Sequence, residues 1–230
     1  MKKYELTTET IQFTGLTLHR IKAVKDFGSV KAGEFGGYIE NEKNLSQDDN
    51  AWIYGEAMAF DNAKIFGNAK VYDNAIVCGN AEVYGNAKVY DNATILGNAK
   101  VYDNAGVYGN AEVFCNAKVY GNAKVYDNTI VYVNAIVYGN AKVYGNATIK
   151  GDAKVHDAVD YIVFKNFWSS GRYFTWTRSN NKWSVGCFYG TGEKLINKAY
   201  NDSEKSGREY EKVVRYVESI LADEKKEKSN

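Results

Sequence analysis

Few side chains in this sequence have chemistry suited to a reaction. His156 is the one candidate for a catalytic base, since an imidazole exchanges its proton near neutral pH. Neither a carboxylate pair, a Ser-His-Asp set, a P-loop nor a glycine-rich nucleotide fingerprint accompanies it. The sequence therefore predicts a chain that is not an enzyme, with His156 as the runner-up catalytic residue.

Metal and cofactor chemistry is poorly provided for. The chain contains 2 histidines, whereas a zinc site built from histidines needs three, and its 3 cysteines form no Cys-x-x-Cys pair. We therefore expect no metal and no cofactor. An odd number of unpaired cysteines favours free thiols in a reducing cytoplasm.

A second group of residues could recognise a partner. Aromatic planes and guanidinium groups suit stacking on bases or sugars, pairing with carboxylates, or anchoring a protein interface. The residues of this predicted partner-binding cluster are Trp168, Arg172, Trp176, Arg178 and Trp183. The alternative interpretation is structural, because a hairpin that packs on a helix needs buried aromatic residues.

The element that must position most of the chain is a six-residue repeat. Alanine recurs every six residues from Ala51 to Ala153, with Thr129 at the one exception, which makes 18 hexads without insertion or deletion. An aliphatic residue follows two places after each alanine, except at Ala59, and a Gly-Asn or Asp-Asn pair closes most hexads. Residues two apart share one side of a strand, and Gly, Asp and Asn form turns, so each hexad predicts a short strand and a turn. A period of six fits no helix.

Hexads such as V-Y-G-N-A-K resemble the hexapeptide repeat of left-handed parallel β-helix proteins. The resemblance covers residues 51–158 and implies three hexads per triangular coil. The expected fold is mainly β: a left-handed parallel β-helix of about six coils, with an N-terminal β cap and a small C-terminal α+β module. At a strand spacing of about 4.8 Å, six coils stand roughly 30 Å tall.

Three hexads per coil divide the array into three faces, which begin at Ala51 (face 1), Ala57 (face 2) and Ala63 (face 3). The outward positions of face 2 are mostly apolar, and such an exposed strip usually marks an interface. Its residues are Met58, Phe60, Ile76, Cys78, Leu96, Phe114, Ile130 and Tyr132. We expect this strip to pack either on another copy, giving a dimer or trimer, or on the C-terminal module.

Faces 1 and 3 carry columns of outward tyrosines beside lysines, from Tyr54 to Tyr144 on face 1 and from Tyr84 to Tyr138 on face 3. Tyrosine is a strong strand former, and stacked side chains stabilise neighbouring coils, so a structural role accounts for both columns. The alternative is that a Tyr/Lys face binds single-stranded nucleic acid.

The flanks complete the predicted domain organisation. Residues 1–50 contain strand-like segments separated by glycines and predict an N-terminal cap, before the array at 51–158. Residues 159–224 predict strands, a short helix and an amphipathic helix. Residues 225–230 are expected to be a disordered tail.

Composition limits the functional classes further. A net charge of +1 argues against a dedicated nucleic-acid binder, and no apolar stretch predicts secretion or membrane insertion. A cytoplasmic location is expected.

The family resemblance also raises activities. Acyltransferases of this fold use a catalytic histidine and loops that protrude from the coils, whereas this array has no insertion. The whole arrangement is also similar to uncharacterised hexapeptide-repeat proteins of bacteria, phages and prophages, which implies no activity. The hypothesis is a non-enzymatic scaffold that presents its faces to a partner, such as a phage-encoded inhibitor of a host protein. A degenerate acyltransferase and a nucleic-acid binder remain as alternatives.

Overall fold

The computed structural model describes residues 2–228 as two compact units, Met1–Asp160 and Tyr161–Asn230. The first unit joins the predicted cap to the hexad array. Met1, Ser229 and Asn230 lie outside the described residues, so the prediction for the last two residues of the tail lies outside them as well.

Three strands precede the array: β1 (Tyr4–Phe13), β2 (Leu16–Ala23) and β3 (Phe35–Ile39). β1 and β2 form an antiparallel hairpin, whose turn is made by Thr14 and Gly15 at φ of 50° and 84°. β2 pairs antiparallel with β3, and β3 pairs parallel with the strand of the second hexad. A 3-10 turn at Glu42–Asn44 leads into the array. The cap is therefore a hairpin added to the edge of a sheet.

Each hexad then contributes one short strand. In chain order the strands are β4 (Trp52–Ile53), β5 (Met58–Ala59), β6 (Lys64–Ile65), β7 (Lys70–Val71), β8 (Ile76–Val77), β9 (Glu82–Val83), β10 (Lys88–Val89), β11 (Thr94–Ile95), β12 (Lys100–Val101), β13 (Gly106–Val107), β14 (Glu112–Val113), β15 (Lys118–Val119), β16 (Lys124–Val125), β17 (Ile130–Val133), β18 (Ile136–Val137), β19 (Lys142–Val143), β20 (Thr148–Gly151) and β21 (Lys154–Val155). A 3-10 turn at Ala158–Asp160 ends the unit.

These strands form three parallel sheets that correspond to the three faces. β4, β7, β10, β13, β16 and β19 form face 1, and β6, β9, β12, β15, β18 and β21 form face 3. Face 2 continues from β5, β8, β11, β14, β17 and β20 into β3, β2 and β1, which gives nine strands. The prediction of a parallel β-helix with three hexads per coil is confirmed, with about seven turns rather than six. The additional turn includes β3 and Leu45, which bridges to Ile65, and no hexad spells it out in the sequence.

The interior and the corners explain the repeat. The alanine and aliphatic columns are at most 1% exposed, because both point inward. Corner residues take a left-handed conformation, which glycine and, at lower frequency, aspartate tolerate. At Gly85 a Cβ would lie 2.8 Å from the backbone nitrogen of Asp103 in the next coil, so the close approach also favours glycine. Asparagine amides bond from coil to coil, as from Asn50 to Asn68 at 3.0 Å.

The second unit is an antiparallel sheet with two helices. Its elements are β22 (Tyr161–Lys165), β23 (Tyr173–Thr177), β24 (Lys182–Val185), β25 (Phe188–Gly190), α1 (Gly192–Asp202) and α2 (Glu204–Glu227). Residues 182–190 read as one strand in the sequence, but Gly186 at φ 53° turns the chain between β24 and β25. Helix α2 continues to Glu227, three residues into the predicted tail, because Lys225 and Lys226 complement the helix C-terminus and Lys226 pairs with Asp223.

Candidate functional site

The N-terminal hairpin covers the first half of the apolar strip on face 2. Leu18, Tyr38 and Phe60 form a buried cluster. The partly buried residues packed against it are Ile11, Phe13, Leu16, Met58, Ile76 and Cys78. For Met58, Phe60, Ile76 and Cys78 the covering segment is thus the hairpin, which the sequence analysis did not consider. Its signal was the alternation of Ile11 with Phe13 and of Leu16 with Leu18 in the two strands.

The second half of the strip lies beyond this cluster. Leu96, Phe114, Ile130 and Tyr132 are each half-exposed. The rings of Phe114 and Tyr132 stack at 4.8 Å between centroids. This uncovered strip, defined by the same four residues, is the largest departure of the solenoid surface from its Tyr/Lys pattern.

Two charged residues border the uncovered strip. Glu112 lies one coil before Ile130, with its side chain exposed, and no hydrogen bond or ion pair of its carboxylate occurs within residues 2–228. Lys150 lies one coil after Tyr132, and its ammonium is 5.0 Å from the centre of the Tyr132 ring. An acidic and a basic group therefore stand at opposite ends of an apolar centre.

The corner beside the uncovered strip holds two residues that a regular corner avoids. Cys115 has φ 60° and Val133 has φ 68°, in positions that Asp61, Gly79 and Gly97 occupy in earlier coils. A β-branched residue in the left-handed region is strained by about 1–2 kcal/mol. The chain tolerates this strain where it adds apolar surface to the strip.

The tyrosine columns are stacked along their length. On face 3 the Tyr84, Tyr102 and Tyr120 rings follow each other at 4.9 Å and within 8° of parallel. Face 1 behaves in the same way from Tyr90 to Tyr144. Because each ring face contacts the ring of the next coil, mainly ring edges and hydroxyls are left for solvent. The structural interpretation accounts for these contacts.

One position interrupts the column on face 1. Tyr72 and Tyr90 meet edge to face at 6.5 Å and 87°, and a hollow of about 360 Å³ opens beside them, lined also by Asp73 and Lys88. A single ring face is thus accessible there. Stacking along several nucleotides would need consecutive free ring faces.

The stacked tyrosines predict a marked loss of stability at alkaline pH. Burial, reinforced by the neighbouring Tyr120 and Tyr84, raises the pKa of Tyr102 to about 12, and burial also raises the pKa of Tyr84, Tyr90 and Tyr108. A raised folded-state pKa gives stability that is complete below about pH 10 and is lost as the pH rises towards 12. Tyrosinate absorbance at 295 nm should rise at higher pH in the folded chain than in urea. Coincident titrations would contradict this expectation.

His156, the runner-up catalytic residue, lies exposed at the last hexad. Its Nδ1 contacts the Asp157 carboxylate, and its ring meets the Tyr138 ring edge to face at 4.9 Å. Its Nε2 lies only 2.5 Å from the position that a Cβ would take at Gly139, so this edge of the imidazole abuts a coil corner. The carboxylate can orient the imidazole, but the Nε2 edge that would act as the base faces backbone.

The predicted partner-binding cluster separates into buried and exposed members. Trp176 and Trp183 are 1% and 2% exposed and belong to the core of the second unit, together with Phe174. Trp168 is partly buried, edge-on to Tyr210 at 5.2 Å. The indole faces of Trp176 and Trp183 are therefore used inside the unit, as the structural alternative expected.

The two arginines of the cluster differ in their partners. Arg178 donates two hydrogen bonds to the Glu224 carboxylate, at 2.6 and 3.0 Å, and its guanidinium lies 5.7 Å from the Trp176 ring. This pairing lowers the pKa of Glu224. Arg172 is exposed and has no carboxylate partner within the described part of the chain. Partner binding by the cluster remains a prediction, with Arg172 as its available member.

Two further observations concern metals and membranes. Among residues 2–228, no group of three or more His, Cys, Asp or Glu side chains is close enough to hold a metal ion. Neither of the two helices in that range combines the length and the apolar character that crossing a bilayer requires.

Comparison with known proteins gives one distant relative and no family assignment. No family model matches the chain. The chain is similar to the uncharacterized acetyltransferase YdcK of Escherichia coli strain K12, with 39% identity over 69 residues. The match covers 26% of this chain and spans only 21% of the relative. A parallel β-solenoid with coils of about 18 residues agrees with a distant hexapeptide-repeat relative.

Proposed function

We propose that this chain is a non-enzymatic scaffold that associates with a second copy of itself through the uncovered strip of face 2. The observation that supports it is the apolar centre of Leu96, Phe114, Ile130 and Tyr132, beside the strained corner residue Val133. An interface characteristically has an apolar core and a polar rim, and this surface has both. Faces 1 and 3 remain free in such a pair.

The charges at the ends of the strip favour a two-fold pair. If the two-fold axis runs along the strands at the level of Ile130 and Tyr132, the coil before that level in one copy faces the coil after it in the other. Glu112 then lies near Lys150 of the partner subunit, and the reverse contact follows by symmetry. A side-by-side pair with parallel axes would keep these charges apart. The proposed dimer is therefore antiparallel.

Placing a charge in the apolar centre should dissociate the dimer. In sedimentation velocity experiments we expect the wild type to be a dimer and Phe114→Glu to be a monomer, because a carboxylate buried at the contact has no partner. Tyr144→Glu is the matched control: Tyr144 is 51% exposed on face 1, and its variant should remain dimeric. A monomeric wild type, or equal loss in both variants, would contradict the proposal.

Charge reversal tests the antiparallel arrangement itself. Glu112→Lys and Lys150→Glu should each weaken the dimer about tenfold or more, since like charges meet across the contact. The double variant restores opposite signs and should recover most of the affinity. Additive losses in the double variant would rule out this pairing while leaving the Phe114 result unaffected.

Acyl transfer is the alternative suggested by the name of the distant relative. The geometry of His156 supports it less, because Nε2 lies against the Gly139 corner. Calorimetry with acetyl-CoA distinguishes the two functions, since specific binding that is lost in His156→Ala would favour an enzyme.

Two finer hypotheses have less support from the geometry. Binding of single-stranded nucleic acid through face 1 or face 3 competes with the ring stacking between coils, since the same ring faces would be needed. Inhibition of a host protein by a phage-encoded scaffold rests on the sequence resemblance alone and remains a prediction.

A further inference from the structure

A cavity of about 330 Å³ opens in the second unit between the loop after β22, the sheet and the two helices. Its volume is at the lower end of the range for small-molecule sites, roughly 300–1,000 Å³. One side is apolar and includes Val185, Phe188 and Leu195. The other side is polar, so the cavity suits a small amphipathic molecule.

The polar side is built on buried groups. Asn166 is 2% exposed and donates from Nδ2 to the Tyr210 hydroxyl at 3.0 Å and to Ser169 Oγ at 2.9 Å. Tyr210 is 8% exposed and lines the cavity. Its hydroxyl accepts from Asn166, but residues 2–228 offer no acceptor for its own proton. A buried donor is thus left for a ligand.

The cavity also carries an excess of positive charge. Arg172 and Lys198 line it, against the single carboxylate of Asp202. The other four arginines of the chain pair with carboxylates, and they are Arg20, Arg178, Arg208 and Arg215. Within the described residues neither Arg172 nor Lys198 has an ion-pair partner. An unpaired guanidinium beside an unused hydroxyl donor indicates an anionic ligand.

Hydroxyl groups at the start of α2 add further donors. Ser203 is the N-cap of α2 and accepts from the Ser206 backbone at 3.1 Å, and both serines line the cavity. Serine hydroxyls, arginine and tyrosine are donors that proteins commonly direct at phosphate oxygens. The apolar wall with Phe188 suits a ring attached to that phosphate.

We infer that this cavity is a binding site for a small phosphomonoester that carries an apolar or aromatic ring, with its phosphate held by Arg172, Lys198 and Tyr210. The guanidinium pairs with two phosphate oxygens, while the ring contacts Phe188 and Leu195. The site is independent of the strip on face 2.

Calorimetric titration of the full chain with AMP, adenosine and inorganic phosphate tests the inference. We expect AMP to bind more tightly than either fragment, because it uses both walls. Arg172→Gln should weaken AMP binding between about ten- and a hundredfold, and Tyr210→Phe should weaken it several-fold. Arg208→Gln, on the same unit but outside the cavity, is the matched control and should bind AMP like the wild type.

Two outcomes would overturn the inference. One is no detectable AMP binding by a wild-type chain whose circular dichroism shows the helices intact. The other is an equal loss of binding in Arg172→Gln and Arg208→Gln, which would indicate general charge attraction rather than a site.

Discussion

Replacing Lys3 with alanine is expected to lower the free energy of unfolding of the first unit by about 3 kcal/mol. The Lys3 side chain is 1% exposed, and its ammonium donates to the backbone oxygens of Asp49 and Ala51 at 2.9 and 2.8 Å. It also pairs with the Asp49 carboxylate at 3.2 Å and lies 5.0 Å from the Phe27 ring. Removing it leaves three buried acceptors with a lost partner, so the hairpin loses its attachment to the first coil.

The charges around Lys3 show how closely this contact is balanced. Burial lowers the pKa of Lys3, whereas the Asp49 charge opposes that shift. Burial alone would raise the pKa of Asp49, but hydrogen bonds from the Gly67 and Ala51 amides lower it. The folded chain therefore keeps Asp49 ionised, and this contribution to stability is present above about pH 4 and lost as the pH falls below it.

Lys2→Ala is the matched control for Lys3→Ala. Lys2 pairs with Glu42 at the surface, where both side chains are well exposed, so its loss should change the free energy of unfolding by less than about 1 kcal/mol. Urea unfolding followed by tyrosine fluorescence measures both variants. Similar midpoints for the two would show that Lys3 does not hold the cap.

Replacing Trp183 with alanine is expected to unfold the second unit, at a loss of about 3–5 kcal/mol. Trp183 is 2% exposed, lies between Phe164 and Phe174 with ring centres at 5.9 Å, and supports the start of α1 near Gly192. A unit of this size has a small core and little stability to spare. The loss is therefore comparable to its whole stability.

The helical circular dichroism signal measures this loss, because both α-helices of the described chain lie in the second unit. Phe167→Ala is the control: the Phe167 side chain is 81% exposed and its removal should leave the signal and the midpoint unchanged. If Trp183→Ala kept the full helical signal and wild-type stability, Trp183 would not be the core residue that its burial indicates.

The solenoid was predictable because its information is local and repeated. Every hexad states its inward alanine, its inward aliphatic residue and its corner, so the array from Ala51 to Ala153 follows from periodicity alone. The seventh turn was missed because β3 and Leu45 reach the same positions without the six-residue pattern. The cover on face 2 was missed for a similar reason. It depends on Leu18 meeting Phe60, a contact between segments far apart in sequence.

The candidate sites were harder to predict than the fold. Trp176 and Trp183 have residue types typical of interfaces, and only packing against α1 and α2 shows that they are core residues. The cavity in the second unit joins Asn166, Lys198 and Tyr210 from three segments, and no spacing in the sequence connects them. Arg172 alone was singled out at both stages, since an arginine without a partner is visible only once every other arginine has been paired.

The absence of any insertion between Ala51 and Ala153 has a consequence for how the array can change length. Loss or gain of 18 residues adds or removes one coil and keeps every column in line. Loss of a single hexad also keeps the interior intact, but it rotates everything downstream by a third of a turn. The greasy outer residues after that point would then leave the side of the prism that the hairpin occupies. Rotational phase, rather than stability, is therefore what fixes the spacing of this repeat.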